Sequence, residues 1–184
     1  MITFMAGEKM QRRKISLSVL WLLAVVGLGA RAGEAKPVAM PPRAFAEEFY
    51  SWYVPLAYGE DVPRAWEFAA KRRKSSFSSE LVRLIARDAA AQAKCSEIVG
   101  LDFDPILATQ DPAERYDLGP VIRDHQSYHV DVYAVMNGAR SKTPGVRAKF
   151  IKKEGRYFFT NFIFPDLKTD LLTVLKQPIP VCSR

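Results

Sequence analysis

The stretch GLDFDPILATQD, Gly100 to Asp111, gathers the carboxylates of Asp102, Asp104 and Asp111 with the amide of Gln110 in one short segment. Carboxylates this close could hold a hard cation, divide acid and base roles, or accept hydrogen bonds from backbone amides in a turn. The calcium-loop pattern fails. Asp102 and Asp104 sit two apart as at the start of an EF-hand, but the third ligand position is Ile106, the turn glycine is missing and the closing position is Ala113. Convergence of Asp102, Asp104, Asp111 and Asp117 on a cation stays open as a looser arrangement. The structural alternative has the two aspartates capping backbone amides while Phe103 and Ile106 plug the core, with Pro105 biasing Asp104 toward extended backbone. On that reading the stretch is the joint between a helical half and a strand-rich half.

The two histidines, His125 and His129, are four apart. On a helix they would share a face and could ligate one metal, but the alternation around them reads as a strand, which separates them by about 13 Å. Asp131 beside His129 is the one acid/base pairing that pattern offers, and no activated nucleophile accompanies it. Phosphate-binding glycine loops, paired CxxC, HExxH and GxSxG are absent from the sequence. No catalytic residue, metal or cofactor is therefore assigned. Cys95 and Cys182 are the only cysteines, and an even pair in an oxidising compartment is a disulfide candidate. Unpaired thiols are the alternative.

The elements that must position these residues follow from periodicity. Phe45, Phe49, Trp52, Tyr53 and Leu56 repeat at helical spacing, predicting an aromatic, core-facing helix broken near Pro55. Asp61-Val62-Pro63 reads as the start of a short second helix, closed by Lys71-Arg72-Arg73-Lys74. That basic run is either a solvated helix end or a docking patch for an anionic surface. Ser78 or Ser79 can cap a third helix through Leu81, Leu84 and Ile85 to about Lys94. After the acidic stretch, Tyr116 to Val135 turns strand-like, with Tyr128, Val130 and Val132 on one parity. Val146, Ala148 and Phe150 alternate with Arg147 and Lys149 in a further strand. Arg156 to Pro165, RYFFTNFIFP, is apolar on both parities and so is expected to be central and covered on both faces. Asp166 can cap a last helix containing Leu167, Leu171, Leu172 and Leu175. Helices followed by antiparallel strands make an α+β fold, with the N-terminal helices packed in a strongly curved sheet and a C-terminal helix.

Composition sets the context. The chain has 184 residues, 26% charged and 48% hydrophobic, as suits a single globular domain. Lys9, Arg12, Arg13 and Lys14 precede an apolar run from Ile15 to Leu28, shorter than the roughly 20 residues of a membrane span, and Ala30-Arg31-Ala32 follows. Residues 1–32 thus read as a signal peptide, 33–42 as a flexible leader and 43–184 as the domain. The implied location is the periplasm or the medium, with no stable membrane anchor after cleavage. Residues 1–32 carry five of the cations and one of the anions, so the net charge of +7 falls to +3 without them. A nucleic-acid partner loses its main support with that charge.

FYSWYV at Phe49 to Val54, GLDFDPILATQD at Gly100 to Asp111, and NFIFP at Asn161 to Pro165 ahead of a leucine-rich helix together resemble the domain of unknown function 3828 family of exported bacterial proteins. The resemblance implies a nuclear-transport-factor-2-like cone, with helices inside a curved antiparallel sheet, and carries no assigned reaction. It marks Trp52, Tyr53, Asp102, Asp104, Gln110 and Asp111 as candidate binding positions. The expectation is an exported, non-enzymatic binding or interaction protein, of which an immunity or inhibitor protein is one version, engaging a peptide, envelope component or partner protein. The alternative is a small hydrolase or isomerase with a carboxylate acid/base in the cone cavity.

Overall fold

The long N-terminal helix forms because its buried residues recur as adjacent pairs one turn apart: Phe45 and Ala46, Phe49 and Tyr50, Tyr53 and Val54. This helix, α1, spans Pro42–Tyr58 in a computed structural model that describes residues 40–59 and 61–179. The helix start at Pro42 places a proline in the first turn, where its missing N–H costs nothing. Pro55 does not break the helix as expected. It lies near the C-terminal end, and its own carbonyl still accepts from the Gly59 amide at 3.1 Å, so one further turn closes behind it.

The second helix, α2, runs Ala65–Arg72 and starts later than Asp61-Val62-Pro63 suggested. Arg64 adopts a left-handed backbone, φ 57° and ψ 56°, which helical propagation does not tolerate, so the first regular residue is Ala65. The Arg73 amide closes α2 on the Ala69 carbonyl and a 3₁₀ turn follows over Lys74–Ser76. Helix α3, Ser79–Gln92, is capped as expected: the Ser78 hydroxyl accepts from the Leu81 amide at 3.2 Å.

Six strands make one antiparallel sheet: β1 Arg115–Asp124, β2 Ser127–Met136, β3 Ala139–Arg140, β4 Val146–Lys153, β5 Arg156–Phe164 and β6 Thr169–Asp170. Their order is β1-β2-β4-β5-β6, with β3 pairing β2. The single strand-like stretch expected from Tyr116 to Val135 is two strands joined by a turn, where His125 takes φ 52°. Val130 and Val132 of β2 and Val146, Ala148 and Phe150 of β4 are buried on one face, as the alternation requires.

Strand β5 corrects the sequence reading most sharply. It lies one place from the sheet's end, beside the two-residue β6, and is not central. Its double parity comes from a bulge. Lys149 pairs Asn161 while the adjacent Phe150 pairs Phe159, so Thr160 is an extra residue and the alternation changes phase there. Tyr157 and Phe159 before the bulge and Phe162 and Phe164 after it are all buried. Both halves of β5 thereby feed one core.

Phe45 and Phe49 of α1 meet Phe159 at ring-centroid distances of 4.9 and 4.8 Å, while Phe77, ahead of α3, stands 6.4 Å from Phe162. The helices therefore pack on a single sheet face through an aromatic cluster. A short helix α4, Leu171–Lys176, completes it; its cap is Asp170, whose carboxylate accepts from the Thr173 amide, and not Asp166. Leu167 is exposed accordingly. The described residues form one compact unit. The expected signal peptide, residues 1–32, and most of the leader lie outside the described residues.

Candidate functional site

The Gly100–Asp111 stretch folds into a closed loop pinned from inside by one carboxyl group. Asp104 is buried; its Oδ1 accepts from the amides of Ile106 at 2.8 Å and Leu107 at 3.1 Å, and its Oδ2 accepts from the Tyr53 hydroxyl at 2.6 Å. The backbone of Asp104 also exchanges two hydrogen bonds with Thr109, at 2.7 and 3.3 Å. Leu101, Ile106 and Leu107 are buried, and Phe103 meets Phe164 of β5 edge-on at 5.5 Å. The loop is thus tied at once to α1 and to the sheet. Burial pushes the Asp104 carboxyl up to about 6, against the downward pull of its hydrogen bonds from Tyr53, Ile106 and Leu107. Burial, and then the Asp104 charge, holds the Tyr53 phenol well above its ordinary range.

A second buried carboxylate, Asp88 of α3, secures the entrance to the loop. It accepts from the Leu101 amide at 3.3 Å and from the Arg64 guanidinium at 3.2 Å. Burial raises its pKa, against the Leu101 amide and the Arg64 and Arg87 charges. Gly100 makes this approach possible: it takes φ +76°, and a Cβ there would sit 2.0 Å from Asp88 Oδ1. Sequence reasoning passed over Asp88 because a lone aspartate among helical alanines looks like a solvated position. Its spacing three residues after Ile85, on the buried side, was the available signal.

Next to the loop lies a cavity of about 290 Å³ walled by Val62, Pro63, Arg64 and Trp66 on one side and Asp102, Phe103, Asp104 and Gln110 on the other. Arg64 stands 5.3 Å from the Trp66 ring, and its Nε lies 2.7 Å from Glu67. Trp66 is buried and its indole Nε1 has no hydrogen-bond partner. Of the positions marked in the sequence, Asp102, Asp104 and Gln110 meet at this cavity, with Tyr53 behind Asp104. Asp102 and Gln110 are exposed, and the Gln110 amide reaches Asp102 Oδ2 only at 3.5 Å.

Two marked positions lie elsewhere. Trp52 sits on the shoulder of α1 with Arg73 stacked 4.3 Å from its ring, and Asp111 is exposed, its backbone bracketing the Thr109 hydroxyl. Arg73 also pairs with Glu48 at 3.1 Å, so one member of the basic run is drawn back onto α1. Asp131 does not serve His129; it holds Arg147 of β4 by two contacts, 2.7 and 3.2 Å. His125 is exposed in its turn and bonds to Asp124. Among the described residues no group of three or more His, Cys, Asp or Glu side chains is placed to hold a metal ion, and no helix is long and apolar enough to cross a membrane. Cys95 is not a free thiol; Cys182 lies outside the described residues.

A larger groove of about 620 Å³ runs between α1 and β1, lined by Arg43, Glu47, Glu114, Arg115 and Asp117 among others. Arg43 pairs with Glu47 at 2.7 Å and Arg115 with Asp117 at 3.5 Å, so much of its charge is satisfied internally. The smaller cavity has the buried carboxyl and the unpartnered indole donor. The site is therefore that of an α+β protein with a rigid acidic loop beside a small mixed-polarity cavity. Comparison with known proteins finds no matching family model, no matching curated protein and no matching solved structure.

Proposed function

We propose that the protein is an exported, non-enzymatic binding or interaction protein of the bacterial envelope, using the acidic loop and its adjoining cavity to engage a peptide or partner protein. The observation that carries this reading is the state of Asp104. Each of its oxygens is already held by fixed donors, so the group works as the internal pin of a presentation loop and leaves Asp102, Phe103 and Gln110 to face a ligand. The proposal includes the cone: the aromatic face of α1 lying against the bulged sheet supports a nuclear-transport-factor-2-like shape, and with it kinship to the domain of unknown function 3828 proteins. Export through residues 1–32 and pairing of Cys95 with Cys182 belong to the same reading. An immunity or inhibitor role is one form of it.

The second reading, a small hydrolase or isomerase, draws on the raised pKa of Asp104 at a cavity wall. A photo-crosslinking residue in place of Gln110 tests the first reading. It should give one discrete adduct in cells, and the same residue in place of Lys153, in the β4–β5 hairpin, should not. The reading falls if both positions give the same adducts or neither gives any.

A further inference from the structure

The geometry points to a ligand class for the cavity beside the acidic loop: a peptide bearing a free amino terminus, its ammonium on Asp102 and its first carbonyl accepting from Trp66 Nε1. The inference rests on the proposed binding role and deepens it.

Charge decides the first half. Arg64 is the cation in the cavity wall, and its charge is opposed by two carboxylates: Glu67, 2.7 Å from Nε but out of hydrogen-bond alignment, and Asp88, which accepts from Nη2 at 3.2 Å. Asp102 makes no ion pair among the described residues, and its one hydrogen bond, from Gln110, is long at 3.5 Å. The cavity mouth therefore carries an uncompensated anion, and an arriving cation gains a charge-assisted hydrogen bond there. An anionic ligand would meet Asp102 with no free positive partner beside it.

The indole decides the second half. Trp66 lines the cavity and is 8% exposed, yet Nε1 is without a partner. A buried donor left unpaired forfeits its hydrogen bond to water, which a ligand carbonyl reaching it would restore. An ammonium alone cannot supply that acceptor, because it only donates. An amino terminus can do both, since its first carbonyl carbon lies two bonds from the ammonium nitrogen, across Cα.

The volume of about 290 Å³ sits at the small end of ligand sites, which begin near 300 Å³. Such a space takes the first residue or two of a chain rather than a long segment. Val62, Pro63 and Phe103 offer the apolar wall for a side chain.

The test uses the full chain and two probes, alanyl-phenylalanine amide and its N-acetyl counterpart, followed by the ¹H–¹⁵N signal of the Trp66 indole, assigned by its disappearance in Trp66→Phe. The free-amine probe should shift that signal saturably. Acetylation, or Asp102→Asn at this exposed position, should each weaken binding about tenfold or more. An unmoved Trp66 signal, or equal affinity for the two probes, overturns the ligand class. If the Gln110 crosslink persists while the probes fail, the ligand class is wrong and the interaction site stands. If the probe shifts Trp66 as described while no crosslink forms, the ligand class holds and the protein-partner reading falls.

Discussion

Replacing Asp104 by asparagine should flatten a pH dependence that the native protein carries in its loop. In the folded chain this carboxyl titrates at about 6, against an ordinary value of 3.8. The folded state therefore binds the proton more tightly than the unfolded chain, and ionisation of Asp104 works against folding. Its favourable contribution is complete below about pH 4 and is lost as pH rises through about 6. The displacement corresponds to about 3 kcal/mol, at 1.36 kcal/mol for each unit. Asparagine stays neutral, and its carbonyl can accept from the Ile106 and Leu107 amides while its amide donates to Tyr53. Urea unfolding of both proteins, followed by circular dichroism from about pH 4 to 7.5, gives the comparison. The stability of Asp104→Asn minus that of the native chain should rise by about 2.4 kcal/mol across this range, most of it between about pH 4 and 6.5. A flat difference, or one that falls with pH, would refute the claim that Asp104 is held by burial against its hydrogen bonds.

Tyr53→Phe removes the one side-chain donor to Asp104; it should cost about 1–3 kcal/mol at neutral pH and less near pH 4, where the carboxyl is protonated, as read by the same unfolding curves. Gly100→Ala drives a Cβ into Asp88 and forces alanine to φ +76°, so thermal unfolding should show a loss of at least about 2 kcal/mol, whereas Gly138→Ala, with nothing within 4 Å of its Cβ position, should suffer only the backbone cost of its own positive φ. Asp131→Asn breaks a cross-strand pair whose arginine is 42% exposed, so the cost should stay within about 1 kcal/mol and shrink in high salt. If Cys95 is bridged to Cys182, Cys182→Ser or reductant should lower the midpoint of thermal unfolding, with about 4–5 kcal/mol assigned to so long a loop by chain entropy; an unchanged midpoint argues against the bridge.

What was legible in the sequence was whatever one local period could express. The Ser78 cap, the buried parity of Val146, Ala148 and Phe150, and the core role of Ile106 follow from neighbours a few residues away. Trp52 was placed on the core face of α1 by its spacing; it does pack against the core beside Phe49 and Tyr53, but at the edge of the buried face, where it is half-buried and Arg73 stacks on it. The start of α2 was misplaced because Arg64 gives up helical backbone in favour of contacts with Glu67, Asp88 and Trp66, two of them within three residues and one 24 residues away. The acidic loop was legible as a turn with apolar anchors. Its internal pin was not, since the Tyr53 hydroxyl that completes it comes from 51 residues earlier in the chain. The spacing of Asp88 after Ile85 marked it as buried, but its partners were not legible, since the Leu101 amide and the Arg64 guanidinium lie 13 and 24 residues away.

Thr160 bears on how this chain can tolerate change. One surplus residue in β5 lets Tyr157 and Phe159 share a core with Phe162 and Phe164. The Thr160 side chain is half-buried and its hydroxyl donates to the Lys149 carbonyl at 3.3 Å, across the bulge. Removing Thr160 would join Phe159 directly to Asn161, whose partners Phe150 and Lys149 are already adjacent, so the ladder would become regular and Phe162 and Phe164 would stay on the core face. A single in-frame codon deletion at Thr160 should therefore be milder than one at Phe158, which would make Tyr157 and Phe159 neighbours on opposite faces of the strand.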